Sequence, residues 1–150
     1  MKAKLLFPLL AFGFIFVMAV YFLLNPSYQK SLEAKFYYEI GNYKEAYSLA
    51  NEAFSMDVYN RMASTIMAQS KTSMKYESYI HQAKEYLAQI NEIVAQESIS
   101  DADKAKIRIM CQIMVESYKK LAASVVTDAK LVDEARDYYK NFEQLLEKVS

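Results

Sequence analysis

FYYEIGNYKEAYSLANEAFSMD, Phe36 to Asp57, is the stretch whose reading decides this chain's fold. Gly41-Asn42 sits inside it, flanked on both sides by residues that favour helix. Glycine enters the left-handed conformation without strain, which suits the position just past a helix end. One helix is therefore expected from about Tyr28 to Ile40, and a second from about Tyr43 to Met56. Ala46, Ala50, Ala53 and Phe54 recur at three- and four-residue steps and form the seam of the second helix. In the first helix, Leu32, Phe36 and Ile40 fall four apart on one face. Ala34, Tyr37 and Tyr38 widen that face, and it is read as the packing face. Two helices joined by so short a turn make an αα-hairpin.

Toward the N-terminus lies LLFPLLAFGFIFVMAVYFLL, Leu5 to Leu24, which carries no charge. At about 1.5 Å per residue it is roughly 30 Å long, the thickness of a bilayer's hydrocarbon core. A cleaved signal peptide has a shorter apolar core, of about 7–15 residues, and a small-residue cleavage site. Ala19-Val20-Tyr21 and Leu23-Leu24-Asn25 are poor sites. A lipoprotein needs a cysteine just after the apolar core, and the one cysteine is Cys111. The expectation is an uncleaved signal anchor at residues 5–24, preceded by a short tail at 1–4. Pro8 and Gly13 are both tolerated in membrane helices, and Tyr21 suits the interface. Lys2, Lys4 and the terminal amine lie closer to the stretch than Lys30, Lys35 and Lys44 beyond it. This favours a single-pass, N-in protein with residues 25–150 outside the cytoplasmic face. In a bacterium that means the inner membrane, with a periplasmic domain.

Asn25-Pro26-Ser27 ends the membrane helix, because proline disfavours helix at the residue before it and can start a new one after it. Toward the C-terminus a second hairpin is expected. Its helices cover about Asn60 to Met74 and Tyr79 to Gln96, with a break at Lys75 to Ser78. Met62, Ala63, Ile66, Met67, Ser70 and Met74 stripe the first; Ile80, Ala83, Leu87, Ile90 and Val94 stripe the second. A third hairpin follows the loop at Glu97 to Ile99. Ser100 can cap a helix over about Asp101 to Ser124, with Asp103 near its free N–H groups. Ile107, Met110, Cys111, Met114, Tyr118 and Leu121 make one stripe. Ile109 and Ile113 make a second, so this helix should be covered on two sides. Thr127 or Asp128 caps the last helix, about Ala129 to Lys148, whose stripe is Leu131, Ala135, Tyr138, Phe142, Leu145 and Val149.

Composition narrows the class. Residues 25–150 contain one glycine and one proline, far too few turn residues for a β-sandwich, so the domain should be all-α. The chain has 18 basic and 18 acidic residues, with Lys2 and Lys4 before the apolar stretch, so the rest is slightly acidic. No basic field is present to gather nucleic acid. Residues 25–150 fit one domain.

The hairpin at Phe36–Asp57 resembles a tetratricopeptide (TPR) repeat, from late in its first helix through its second. Ala34 matches the small residue of the first helix and Tyr37 the aromatic one turn later. Gly41-Asn42-Tyr43 matches the turn, and Ala46 and Ala53 match the alanines that let the two backbones come close. Ala68 lies one period of about 34 residues after Ala34. Lys30, Glu33 and Val58 depart from the family's pattern, which has an aromatic, a leucine and a proline there. The resemblance implies about three antiparallel hairpins stacked as a superhelix, with a terminal repeat that caps the stack. It also implies a concave groove lined by the first helix of each repeat: Tyr28, Ser31, Lys35, Tyr38 and Glu39, then Met62, Thr65, Gln69, Thr72 and Ser73. Of these, Tyr28, Lys35, Tyr38, Glu39 and Gln69 are the candidate partner-binding residues, while Ala34, Tyr37, Gly41, Ala46 and Ala53 are the repeat-packing ones.

No catalytic constellation emerges. His81 is the one histidine, and no Cys/His/Asp/Glu cluster has metal spacing. Cys111 falls on an apolar stripe and reads as a buried, inert thiol. Asp133-Glu134 and Asp101/Asp103 read as solvated faces or caps, and phosphate-loop and dinucleotide fingerprints are absent. The expected function is non-enzymatic, without cofactor, metal or small-molecule substrate. It is that of a membrane-anchored protein-interaction module, a scaffold or assembly chaperone for an envelope complex. Flagellar, secretion and pilus machines are the settings that the family resemblance implies. A cleaved soluble periplasmic binding protein and a self-associating structural subunit are the alternatives.

Overall fold

The computed structural model describes residues 3–149, which form six α-helices and, among those residues, no strand. They are α1 (Ala3–Leu24), α2 (Pro26–Glu39), α3 (Tyr43–Met56), α4 (Arg61–Val94), α5 (Asp101–Lys119) and α6 (Ala129–Val149). The chain divides into two compact units, residues 1–71 and 72–150.

In the first unit, α1 and α2 are separated by Asn25 alone. Pro26 disfavours helical backbone at the residue before it, and Asn25 is extended, at φ −77° and ψ 117°. Asn25 serves both helices. Its N–H donates to Tyr21 O at the end of α1, and its Oδ1 accepts from Ser27 N at 3.0 Å, capping α2. Pro26 then stands at N1, where a missing N–H costs nothing. Phe7–Leu24 within α1 is apolar and long enough to cross a membrane, and none of it is buried; its contacts with α2 lie at its C-terminal end, at Phe22 and Leu23.

α2 and α3 pack antiparallel. Gly41 turns the chain at φ +81°, and Asn42 caps α3 by accepting from Glu45 N. Ala34 of α2 shares one core with Ala46 and Ala50 of α3, and Ala53 is buried nearer the start of α2, where its carbonyl accepts from Ser27. Alanine at each contact lets the helix axes approach closely. Leu49 and, from α4, Ile66 complete this small core, and Tyr37, Tyr38, Met62 and Met67 pack against it.

Asn60 ties the hairpin to α4. It is fully buried, and every polar atom of its side chain is used. Oδ1 accepts from Ala63 N at 3.1 Å, which caps α4. Nδ2 donates to Ser27 Oγ and to Ser31 Oγ, each at 2.8 Å. The two serines donate onward, Ser27 to Ala53 O at 2.8 Å and Ser31 to Ser27 O at 3.0 Å. One amide thus joins α2, the end of α3 and the start of α4.

The second unit is a three-helix bundle of residues 72–94 of α4 with α5 and α6. Its core holds Tyr76, Tyr79, Ile80, Ala83, Ile90 and Ile93, then Ile107, Met110, Cys111, Met114 and Val115, then Ala135 and Phe142. The α6 stripe of Leu131, Tyr138, Leu145 and Val149 packs against it. Arg108, early in α5, donates to Val149 O at the end of α6, so these two helices run antiparallel. Ser100 and Asp103 form a reciprocal capping box at the start of α5. Asp128 Oδ1 accepts from Lys130 N and opens α6, while the Thr127 hydroxyl accepts from Ser124 N.

Four expectations need correction. The break at Lys75–Ser78 does not exist: α4 is continuous from Arg61 to Val94, so the expected second hairpin is absent. Lys75-Tyr76-Glu77-Ser78 contains neither glycine nor proline, and burial of Tyr76 in the bundle core holds the helix through it. Second, the buried face of α2 is Ser27, Ser31 and Ala34; Leu32, Phe36 and Ile40 are 48%, 59% and 59% exposed. Third, α5 ends at Lys119 rather than Ser124: the N–H groups of Lys120 and Leu121 bond back three residues, to Ser117 O and Tyr118 O, and this tightened last turn closes the helix. Fourth, Ile109 and Ile113 on the outer side of α5 are exposed and not covered.

Asn60 is the testable keystone. Asn60→Ala removes the cap and the donor and should weaken the first unit by about 2–3 kcal/mol. Asn60→Asp keeps the capping acceptor but sets a buried carboxylate against two hydroxyl oxygens. Burial raises that carboxyl's pKa above its unfolded value, so the folded form is favoured when protonated. Its defect should be mild below the ordinary aspartate range and grow as pH rises. Hydrogen exchange of the α2 and α3 amides against pH measures both; an Asn60→Asp defect that does not change with pH contradicts the buried-donor role.

Candidate functional site

The candidate partner-binding residues of the first unit stand on α2, with Gln69 on α4. Tyr38 lies half-buried on the Ala34–Ala46 core, its ring 5.3 Å from that of Tyr43. Gln69 is half-buried on α4, near Ile66 and Met67 of the same core. Lys35 is exposed on α2 and lies beside Tyr38 by the helical period. By the helical period Lys35 lies about 20° from Tyr28 and about 40° from Glu39 around α2, and Tyr38 lies about 60° from Lys35 toward the buried face. Tyr28 is half-buried with its ring edge-on to Phe22 of α1 at 4.7 Å, and Glu39 is exposed.

Two residues expected to line the groove do not reach solvent. Ser31 is held inside by Asn60, and Ser73 is buried in the second unit. The repeat-packing residues do come together. Ala34, Ala46 and Ala53 are the contact line of the hairpin, Tyr37 covers one side of it, and Gly41 makes the turn. Space around a Cβ at Gly41 is open, so its positive φ alone demands glycine. Across the hairpin, Lys30 pairs with Glu52 at 3.1 Å, which raises the lysine's pKa; both side chains are largely exposed. Such a pair contributes little to stability.

Sequence reasoning missed Asn60. A signal was present, since asparagine directly before a helical pattern is a cap signature. Its partners, Ser27 and Ser31, lie one α2 turn apart but a whole hairpin away along the chain.

The second unit buries a phenol and a thiol. Burial pushes the Tyr79 phenol well above its ordinary range, and its hydroxyl has no hydrogen-bond partner among the described residues. Its ring lies 5.7 Å from Tyr118, which stacks on Tyr139 at 4.5 Å. Tyr139 donates to Glu143 at 2.7 Å. The Cys111 thiol is also pushed up by burial, away from the nucleophilic thiolate. Among the described residues, no group of three or more His, Cys, Asp or Glu side chains is placed to hold a metal ion. His81 is exposed beside Glu85 at 3.6 Å. Compared with known protein families, curated proteins and solved structures, the chain matches none.

Two measurements follow from these burials. Cys111 should react with a maleimide only as fast as the second unit opens, so labelling should rise steeply with denaturant; rapid labelling of the native protein would contradict its placement. Tyr79→Phe removes a buried hydroxyl without a partner and should raise the unit's stability by about 1 kcal/mol, read as a higher melting temperature.

Proposed function

We propose that this chain is a membrane-anchored, TPR-like protein-interaction module without catalysis, serving as a scaffold or assembly chaperone for an envelope complex of flagellar, secretion or pilus type. In this reading α1 is the anchor, N-in at the inner membrane, with residues 25–150 on the periplasmic side. The TPR-like part is the α2–α3 hairpin with the opening turns of α4.

The observation that carries the reading is the junction. A helix apolar enough to cross a membrane is joined through Asn25 alone to a hairpin packed on alanines. An anchor so close holds the hairpin's surface near membrane partners, and the raised effective concentration lets weak contacts suffice. The flank of α2 that carries Tyr28, Lys35, Tyr38 and Glu39, with Gln69 on α4, combines aromatic anchors with a charged rim. That mixture suits a peptide or helix from another protein.

Photo-crosslinking in cells tests the reading. A photoreactive residue at Lys35 or Tyr38 should give one dominant adduct with a membrane-complex component, and the same residue at Lys44 on α3 should give none. Equal adducts from Lys35 and Lys44, or none from Lys35 and Tyr38, would refute the flank as the binding surface.

A further inference from the structure

The exposed row Leu32, Phe36 and Ile40 has no cover in the first unit. It lies roughly opposite the face that α2 buries, Ser27, Ser31 and Ala34. The hairpin covers the small-residue face of α2, and the apolar row on the other side calls for a second partner. We propose that the second is the lipid interface of the membrane that α1 crosses, so that α2 rests on the bilayer through this row. The proposal rests on the reading of α1 as a membrane helix.

Three observations select lipid over a protein partner. First, α2 begins two residues after α1 ends, so the row starts within reach of the bilayer surface. Second, the α2 side chains that touch α1 share the row's side of the helix. Gln29 Nε2 donates to Leu23 O at 2.6 Å, and Tyr28 packs edge-on against Phe22. By the helical period, Gln29 lies between Phe36 and Ile40 in angle, and Tyr28 lies one step beyond Leu32. The side of α2 that meets the membrane helix is therefore the side that carries the apolar row. Third, Tyr21 and Tyr28 flank the junction, and tyrosine, with an apolar ring and a polar tip, favours the headgroup level. The charges on α2 are balanced, Lys30 and Lys35 against Glu33 and Glu39, so attachment depends on apolar insertion rather than on anionic lipid.

The chain has no tryptophan, so a single introduced one reports alone. Phe36→Trp, Leu32→Trp and Ile40→Trp would each be measured in full-length protein reconstituted into phosphatidylcholine vesicles, with and without bromine on the acyl chains. Phe14→Trp in α1 and Lys44→Trp in α3 serve as references. The expected result is blue-shifted emission from Phe36→Trp and bromine quenching of more than half the extent seen at Phe14→Trp. Leu32→Trp and Ile40→Trp should follow it, Lys44→Trp should stay unquenched, and phosphatidylglycerol should change nothing. Quenching at Phe14→Trp but not at the three row positions would overturn the lipid contact and leave the anchor standing. Blue-shifted but unquenched emission from the row would mean a protein covers it, and would overturn the proposal too. No quenching even at Phe14→Trp would remove the anchor reading and this inference with it.

Discussion

A single buried amide organises the first unit. Asn60 joins α2, α3 and α4 because its side chain has two donors and an acceptor, and each finds a partner. Few side chains could do the same. Aspartate lacks the donors, serine lacks the reach, and an apolar residue would leave the α4 N-terminus uncapped. The alanines depend on this arrangement. A core built mainly on Ala34, Ala46 and Ala50 buries little area per residue, so the hairpin gains modest hydrophobic stabilisation from its own seam. Polar connections to α4 supply the specificity that a thin alanine seam lacks, since buried polar groups admit few alternative arrangements.

The helical pattern in this sequence was easy to read, and its limits were physical. Helix identity followed from the scarcity of glycine and proline. The α2–α3 turn followed from Gly41-Asn42, and the α5 start from Ser100 and Asp103. The invented break at Lys75–Ser78 came from expecting a repeat, at a point where local chemistry offers nothing to stop a helix. The face of α2 was misjudged for a different reason. Periodicity shows which residues share a face, but not which face meets the protein. Leu32, Phe36 and Ile40 outweigh Ser27, Ser31 and Ala34 in hydrophobicity, yet the smaller set is buried, because small residues allow the close approach and the serines meet Asn60. The candidate site was legible only in part. Tyr28, Lys35 and Glu39 share a side of α2 by the helical period, Ser31 is buried, and Asn60 was hidden by its distance along the chain from its partners.

The two units are held in different ways. The first relies on small residues and a polar hub, the second on large side chains, with Phe142 and Met114 fully buried among tyrosines and isoleucines. Cavity and transfer costs scale with side-chain size, so a truncation in the bundle of residues 72–150 removes more stabilisation than one in the hairpin seam. The charged and hydrogen-bonded surface pairs, such as Lys84 with Glu134 at 2.9 Å, add little to either.

The one-residue link at Asn25 also fixes a rotational phase. It has no slack, since its backbone N–H belongs to α1 and its side chain to α2. Adding a residue to α1 or removing one would lift or lower the hairpin by only about 1.5 Å, but would turn it by about 100° around the α1 axis. The side of the hairpin that faces any neighbour of α1 is therefore set by the residue count of α1. Natural variants of this chain should keep the register between α1 and Pro26 more strictly than the identity of the apolar residues within α1.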